Sequence, residues 1–397
     1  MGAGHGAGFG PPQFTVGEIF RRHGDAFRAR YAITPQQSKA MWCIAHCRTA
    51  VMGGHIDRCT DCGWERPAYS SCGNRHCPRC QGAAQAEWLA RREERILPVA
   101  YFHVVMTLPS ELRTLARHNP RSIYGLMLRA ANQTLLELAA DPQWMGGVPG
   151  ITSILHTWTR DLRLHPHVHS VVTAGGLSPD GKRWVEPRTG AKFLFPVKVI
   201  GKLFRGKVLD GIAKLRAAGK LLGVDDPHAF AALKDRLYHK DWVTYAKRPF
   251  AGTAQVFRYL GRYTHRVGLS DYRLTAVSDE AITWKTRGEK TASVEPVEFI
   301  GRLLQHVLPE RFVKIRHSGL YAAGNVNSRL VVARALLDER GGHRPDEQGE
   351  PADLAAIIAE LSVMPDTGCP RCGGRIFSHL LPVFGPKSRA PPGETSS

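Results

Sequence analysis

Long apolar segments are missing from this sequence. No run of 18 apolar residues occurs among its 397 residues, so we expect no helix that crosses a membrane. The amino-terminal segment MGAGHGAGFGPPQF has no basic region followed by an apolar block, and a secretory signal needs both. We therefore expect a cytoplasmic protein without a membrane partner.

Acidic residues are scarce relative to basic ones. The chain has 54 Lys and Arg against 35 Asp and Glu, which gives a formal net charge of +19 at pH 7. A cationic surplus of this size favours a polyanionic partner, which could be DNA, RNA or an acidic membrane surface. The hydrophobic content of 43% is that of a folded globular protein and excludes a wholly disordered chain.

Cysteines are absent from most of the chain, because seven of the nine lie between Cys43 and Cys80. Without an export signal, such a cluster favours metal binding over disulfides. The pairs Cys59-x2-Cys62 and Cys77-x2-Cys80 are separated by 14 residues. This spacing is close to that of two knuckles that share one structural Zn²⁺ through four thiolates.

Other thiols and imidazoles close to these pairs could bind a second zinc ion. The set best suited by its position is Cys47, His55, Cys72 and His76. The pair Cys369-x2-Cys372 supplies only half a zinc site, and its spacing does not indicate which residues would provide the other two ligands.

Hydrophobic periodicity predicts the main elements of the remaining chain. Strands are expected over 101–108, 153–158 and 167–176, and helices over 121–140, 198–222 and 252–267. This order predicts an α+β fold whose antiparallel central sheet is flanked by helices and preceded by a small zinc-binding domain.

The segment Leu164-His-Pro-His-Val-His-Ser-Val-Val predicts a metal site on a strand. Residues two apart on a strand face the same side, so His167 and His169 project together while Val168 faces the core. Two imidazoles can hold a divalent cation and leave positions open for a phosphate oxygen and water. The third ligand stays open among His103, His165 and His265, of which His103 ranks first.

The segment VFRYLGRYTHR over 256–266 predicts a helix with paired phenols. Tyr259 and Tyr263 are four residues apart and therefore share one face. Arg258, Arg262 and Arg266 form an adjacent ridge, and no acidic residue occurs between 251 and 270. Arginine neighbours favour the phenolate form of tyrosine, which is the nucleophilic form.

A second basic segment extends over 311–337, which has five Lys or Arg and no acidic residue. Such a segment favours contact with a DNA backbone. Lys314 and Arg316 are the candidate DNA contacts within it.

Taken together, these motifs resemble the two-tyrosine HUH transposases of the insertion-sequence ninety-one type. The name denotes His, hydrophobic residue, His, which matches His167-Val168-His169. The tyrosine motif matches YLGRYTHR, and the zinc module matches CRTAVMGGHIDRCTDCG and SSCGNRHCPRCQ. Further matching segments are YFHVVMTLP, ILHTW and EFIGRLLQHVLPERFVKIRHSGLY.

The resemblance implies nicking and joining of single-stranded DNA at the ends of a mobile element, through a 5′-phosphotyrosine and with rolling-circle replication. It implies a catalytic Mg²⁺ or Mn²⁺ ion, a structural Zn²⁺, no nucleotide cofactor and cooperation with the host replication machinery. The corresponding parts are a disordered segment over 1–13, a helical and zinc-binding domain over 14–98, a catalytic domain over 99–335 and a partly disordered tail over 336–397.

Three other functions stay open from the sequence alone. A plasmid replication initiator or relaxase would use the same chemistry in another genomic setting. A non-catalytic zinc-finger DNA-binding protein would explain the charge and the cysteines. A metallohydrolase would use His167 and His169 with water and would form no covalent adduct.

Overall fold

The protein was analysed as a computed structural model. It describes residues 12–80, 88, 91–92, 95–190, 193–250, 256, 268–340, 369, 371–374 and 377–384, with only the backbone described over 247–250 and 377–384. The helices bounded within these residues are α1 (Val16–Arg30), α2 (Pro35–His46), α3 (Arg113–His118), α4 (Pro120–Ala140), α5 (Val197–Ala217), α6 (Pro227–His239), α7 (Pro296–Leu304) and α8 (Arg329–Glu339). The strands are β1 (Gly54–Cys59), β2 (Glu65–Tyr69), β3 (Tyr101–Thr107), β4 (Gly150–Trp158), β5 (Leu164–Thr173), β6 (Gly176–Leu177), β7 (Trp184–Val185), β8 (Thr244–Phe250), β9 (Leu274–Val277), β10 (Ile282–Lys285), β11 (Thr291–Val294), β12 (Ile315–Gly319) and β13 (Phe377–Phe384).

A five-stranded sheet forms the centre of the molecule, in the order β12-β4-β5-β3-β8. Every pair of neighbours in it is antiparallel. The predicted α+β architecture with an antiparallel central sheet and flanking helices is therefore confirmed. No described helix combines the length and the apolar character needed to cross a membrane.

Helices cover one face of this sheet. Val168 and Val172 of β5 lie in the largest apolar core together with Leu126 of α4 and Phe204 of α5. Both valines and Phe204 are fully buried. Burial of a side chain of this size contributes about 1.5–3 kcal/mol to stability.

The opposite face, which we call the histidine face, carries His103 on β3, His156 on β4, and His167 and His169 on β5. Their positions share one face because side chains alternate along each strand. Val171, two residues beyond His169, belongs to a second apolar core on this side of the sheet. The histidines thus lie beside a packed apolar core.

The two N-terminal helices pack against a later part of the chain. Ile19 of α1 and Met41 of α2 share a core with Trp284 of β10 and Phe299 of α7. Helix α2 begins after a capping box in which the side chains of Thr34 and Gln37 bond each other's backbone N–H groups. A third core therefore joins residues near the N-terminus to residues 269–304.

A small three-stranded sheet, in the order β13-β1-β2, lies in the cysteine-rich part. Strand β13 pairs antiparallel with β1, with Cys59 opposite Phe377 and Asp57 opposite His379. A strand from the last 21 residues of the chain thus completes a sheet that begins at residue 54.

Candidate functional site

Three histidines come together where β4 and β5 pair. His156 lies directly opposite His167 in the antiparallel register, and His169 lies opposite Ile154. One ring nitrogen from each of His156, His167 and His169 lies within 4.8 Å of the other two. The register of one hairpin thus places three imidazoles around a point large enough for a metal ion.

Hydrogen bonds orient two of the three rings. The Nδ1 of His167 lies 2.6 Å from the backbone carbonyl oxygen of His165 and donates to it, so Nε2 carries the lone pair. The Nδ1 of His169 lies 2.9 Å from the Nε2 of His103, so His169 also presents its Nε2 to the cluster. Histidines that ligate metals are typically held in this way by a bond at the other nitrogen.

The environment keeps His167 uncharged. Burial lowers the pKa of His167 to about 4, although the bond to the His165 carbonyl opposes this effect. The ring is therefore neutral at physiological pH, which is the form that binds metal ions. Three protein ligands leave coordination positions open for substrate and water.

The third corner of the cluster is His156 and not His103, which the sequence analysis ranked first. His103 lies behind His169 as its hydrogen-bond partner. His165, another candidate, accepts a hydrogen bond from His167 at its backbone carbonyl. The sequence did hold an indication of His156, because the predicted strand over 153–158 contains this histidine and its pairing with β5 brings it across the sheet.

The tyrosine segment lies outside the described residues. The predicted site residues concerned are Arg258, Tyr259, Arg262, Tyr263, His265 and Arg266. Both flanks of the segment are described, at Val256 and Gly268.

Both flanks lie on the histidine face. Val256 is fully buried and belongs to the same apolar core as Val171 of β5. At the other end, a Cβ atom added to Gly268 would lie 3.3 Å from the indole of Trp158. The Trp158 ring in turn stacks on His156, with 4.7 Å between ring centroids. Val256 and Gly268, the described residues on either side of the tyrosine motif, therefore both lie on the face that carries the histidine cluster.

A further buried histidine lies beside this site and leads to a pH prediction. The Nδ1 of His306 lies 3.1 Å from the Thr157 hydroxyl, and its Nε2 lies 3.0 Å from the Leu162 carbonyl oxygen. Burial lowers the pKa of His306 to about 4, against about 6.5 in an unfolded chain. The stability conferred by the neutral ring is complete above about pH 6.5 and is lost as the pH falls toward 4, because the unfolded chain takes up the proton first.

We expect the free energy of unfolding to decrease by about 2 kcal/mol from this group between about pH 7 and pH 5, and by about 3 kcal/mol once the pH falls to about 4. His306→Gln keeps a donor and an acceptor but cannot titrate, so it should make the decrease smaller by this amount. Denaturant unfolding at several pH values measures this. His239→Gln, at an exposed histidine, serves as the control for the substitution itself. Equal slopes for wild type and His306→Gln would contradict the prediction.

The cysteines form two clusters of four. The first comprises Cys47, Cys72, Cys77 and Cys80, and the second comprises Cys59, Cys62, Cys369 and Cys372. Within each cluster all four sulfur atoms lie within 4.8 Å of one another. Tetrahedral Zn²⁺ with bonds of about 2.3 Å separates its sulfur ligands by about 3.8 Å, so both clusters fit zinc.

This grouping differs from the predicted one, in which Cys59, Cys62, Cys77 and Cys80 shared one zinc ion. Each predicted pair forms one side of a separate cluster. The first cluster is completed by Cys47 at the C-terminal end of α2 and by Cys72. The second is completed by Cys369 and Cys372, which the sequence left as half a site.

The two histidines of the predicted second zinc site lie outside both clusters. The Nε2 of His55 lies 3.0 Å from a carboxylate oxygen of Asp57. The Nε2 of His76 lies 3.4 Å from the backbone nitrogen of Leu308, and burial lowers the pKa of His76 to about 3.

Of the predicted DNA contacts, Lys314 immediately precedes β12 and Arg316 lies in it, and both are half-buried. Burial lowers the pKa of Lys314 to about 8. Burial together with the charge of Arg129 lowers the pKa of Arg316. Their contact with DNA stays a prediction.

The chain is similar to known proteins over most of its length. A family model described as "Putative transposase" matches residues 150–329, and one described as "Transposase zinc-binding domain" matches residues 19–108. "Putative transposase y4qJ" of Sinorhizobium fredii (strain NBRC 101917 / NGR234) is 40% identical over 370 residues, which are 90% of this chain and 92% of that protein. "Transposase for insertion sequence element IS801" of Pseudomonas savastanoi pv. phaseolicola is 25% identical over 289 residues, 70% of this chain and 68% of that protein. No solved structure matches the chain.

Proposed function

Because the chain belongs to the transposases of the insertion-sequence ninety-one type, we propose that it cuts and rejoins single-stranded DNA at the ends of a mobile element during rolling-circle transposition. The observation that carries this proposal is the cluster of His156, His167 and His169 on the face where both flanks of the tyrosine segment lie. A transposase that only bound DNA would have no use for three converging imidazoles there.

The three histidines would hold a divalent cation. When bound, the cation would polarise the scissile phosphate as a Lewis acid and offset the charge that develops on it. Imidazole nitrogens suit Mn²⁺ better than Mg²⁺, which prefers oxygen ligands. We therefore expect Mn²⁺ to support the reaction at lower concentration than Mg²⁺.

Tyr259 or Tyr263 would provide the nucleophile. The phenolate oxygen attacks the phosphorus atom, the bond to the 3′ oxygen breaks, and that oxygen leaves as a free 3′-hydroxyl after it takes up a proton. The product is a 5′-phosphotyrosine. Because the phosphodiester energy is kept in this bond, a 3′-hydroxyl can later attack it and rejoin DNA without a nucleotide cofactor.

The two tyrosines would act at different cuts during transposition. One phenol can hold a cut 5′ end while the other makes the second cut. The arginines at 258, 262 and 266, and the pair Lys314 and Arg316, would contact the DNA backbone around the cut.

His103 would act as a positioning residue, because it bonds the nitrogen of His169 that faces away from the cluster. Replacing such an outer partner typically costs about 10–100-fold in metal affinity. We expect His103→Gln to raise the Mn²⁺ concentration needed for half-maximal cleavage by this factor, and the rate at saturating Mn²⁺ to stay near that of wild type. A lower saturating rate with an unchanged Mn²⁺ requirement would contradict this role.

The proposal is tested by incubating the protein and Mn²⁺ with end-labelled single-stranded oligonucleotides that tile the DNA flanking the gene. We expect a protein–DNA adduct that survives denaturant, forms only with a divalent cation and is not formed on the same sequences as duplex. Cleavage without an adduct would indicate a metallohydrolase and contradict the proposal. So would binding without any cleavage, which would indicate a non-catalytic DNA-binding protein.

A further inference from the structure

The two CxxC turns of the second cysteine cluster come from opposite ends of the chain. Cys62 and Cys369 are 307 residues apart in the sequence, yet their sulfur atoms lie 3.6 Å apart. Cys59 and Cys372 are likewise 3.6 Å apart. A disulfide bond would require about 2.05 Å, whereas this distance is close to the sulfur separation around tetrahedral zinc.

The two turns also have the same backbone structure. In the first, the N–H of Gly63 donates to the carbonyl of Cys59 at 2.9 Å, and the N–H of Cys59 donates to the carbonyl of Trp64 at 2.8 Å. In the second turn, the same two bonds connect Gly373 to Cys369 and Cys369 to Gly374, at 2.8 and 2.7 Å.

A glycine follows the last cysteine of each turn in the left-handed region, with φ of 72° at Gly63 and 75° at Gly373. Glycine adopts this conformation without the steric cost that a Cβ atom imposes. The turns are in contact, since a Cβ atom added to Gly374 would collide with the carboxylate of Asp61. Two matching knuckles that face each other are the usual construction of a four-thiolate zinc site.

Strand pairing holds the second knuckle in this place. Strand β13 follows Cys372 and runs antiparallel to β1, which ends at Cys59. Without β13, strands β1 and β2 would form an isolated two-stranded hairpin, which is marginally stable in water. The pairing of β13 with β1 and the contacts among the four cysteines therefore stabilise the same arrangement.

We propose that Cys59, Cys62, Cys369 and Cys372 bind one Zn²⁺ ion, which fastens the C-terminal segment to the N-terminal zinc-binding domain. Cys369 and Cys372 lie outside both family matches, which cover residues 19–108 and 150–329. The proposal implies that a copy of the chain truncated after residue 340 keeps the matched regions but has one incomplete zinc site.

Zinc content measured by plasma mass spectrometry on full-length variants tests the proposal. We expect Cys369→Ser/Cys372→Ser to bind one zinc ion per chain fewer than wild type, and Cys59→Ser/Cys62→Ser to lose the same amount. The variant with all four substitutions should also lose only one ion, because both pairs serve one site. Arg371→Ala alters the same turn, keeps both thiols and should retain the wild-type content.

Two results would overturn the proposal. Wild-type zinc content in Cys369→Ser/Cys372→Ser would mean that Cys59 and Cys62 find other ligands, such as Cys77 and Cys80. Loss of two ions in the fourfold variant would mean that the pairs serve separate sites.

A second measurement uses the wild-type protein, so it does not depend on whether the variants fold. Zinc is removed with increasing chelator, and the cysteines that become alkylated by N-ethylmaleimide are identified by mass spectrometry. We expect Cys59, Cys62, Cys369 and Cys372 to become reactive together in one step with the release of one ion. Alkylation of Cys369 and Cys372 in protein that retains all of its zinc would overturn the proposal.

Discussion

Phenylalanine at both Tyr259 and Tyr263 should abolish the covalent protein–DNA adduct and every cleavage product derived from it. Phenylalanine keeps the ring and removes only the oxygen that attacks phosphorus, so binding of single-stranded DNA should change little. Loss of a nucleophile of this kind lowers turnover by several orders of magnitude, roughly 10⁴-fold or more. The adduct is measured on a denaturing gel with a labelled oligonucleotide.

The single variants show how the two phenols share the work. Tyr259→Phe and Tyr263→Phe should each retain adduct formation if either tyrosine can make the first cut, and both should fail to join two DNA ends. Tyr238 is exposed on helix α6, and Tyr238→Phe serves as the control with wild-type activity. An adduct in the double variant would show that another residue is the nucleophile.

His156→Ala should lower the rate of adduct formation by about 10³-fold at low Mn²⁺ concentration. Three ligands around one point bind an ion far better than two, and the Lewis acid contributes several kcal/mol to stabilisation of the transition state. We expect His156 to contact neither the DNA nor the nucleophile, so DNA binding without metal should stay near that of wild type. Rates at several Mn²⁺ concentrations separate lost affinity from lost chemistry.

A matched control is available on the neighbouring strand. His317 on β12 is a half-buried histidine that bonds Thr152 at 3.1 Å, and it is not part of the cluster. His317→Asn should therefore retain the wild-type rate. An unchanged rate in His156→Ala would exclude this histidine as a metal ligand.

Local pattern carried the prediction of the central strands and of the long helix. The apolar, β-branched run over 101–108 and the period of 3.6 over 121–140 correspond to β3 and α4. The alternation around His167 and His169 correctly predicted a strand, because its outward and inward positions differ strongly in polarity. These features depend on residues that are close in the sequence.

Features that depend on long-range pairing were less accessible. His156 reaches the cluster through the register of β4 with β5, and that register is set by the turn between them and by their shared core. The strand at 315–319 is polar, so its sequence predicts only a basic surface, although its backbone forms the edge of the central sheet.

The cysteine pairing shows the same limit. Spacing alone favours joining Cys59-x2-Cys62 with Cys77-x2-Cys80, because the pairs are close in sequence. In the structure, the first pair instead meets Cys369 and Cys372, and the pairing of β13 with β1 holds them there. No periodicity in the sequence records such a connection.

We propose that a metal ion at the histidine cluster lies beside the two phenols. The most direct test replaces tyrosine by 3-fluorotyrosine throughout the chain and measures the ¹⁹F relaxation that bound Mn²⁺ causes. Tyr259→Phe and Tyr263→Phe identify the two signals. We expect Mn²⁺ to broaden both signals strongly and the broadening to be lost in His156→Ala. Sharp signals from both tyrosines with Mn²⁺ bound at the cluster would contradict it.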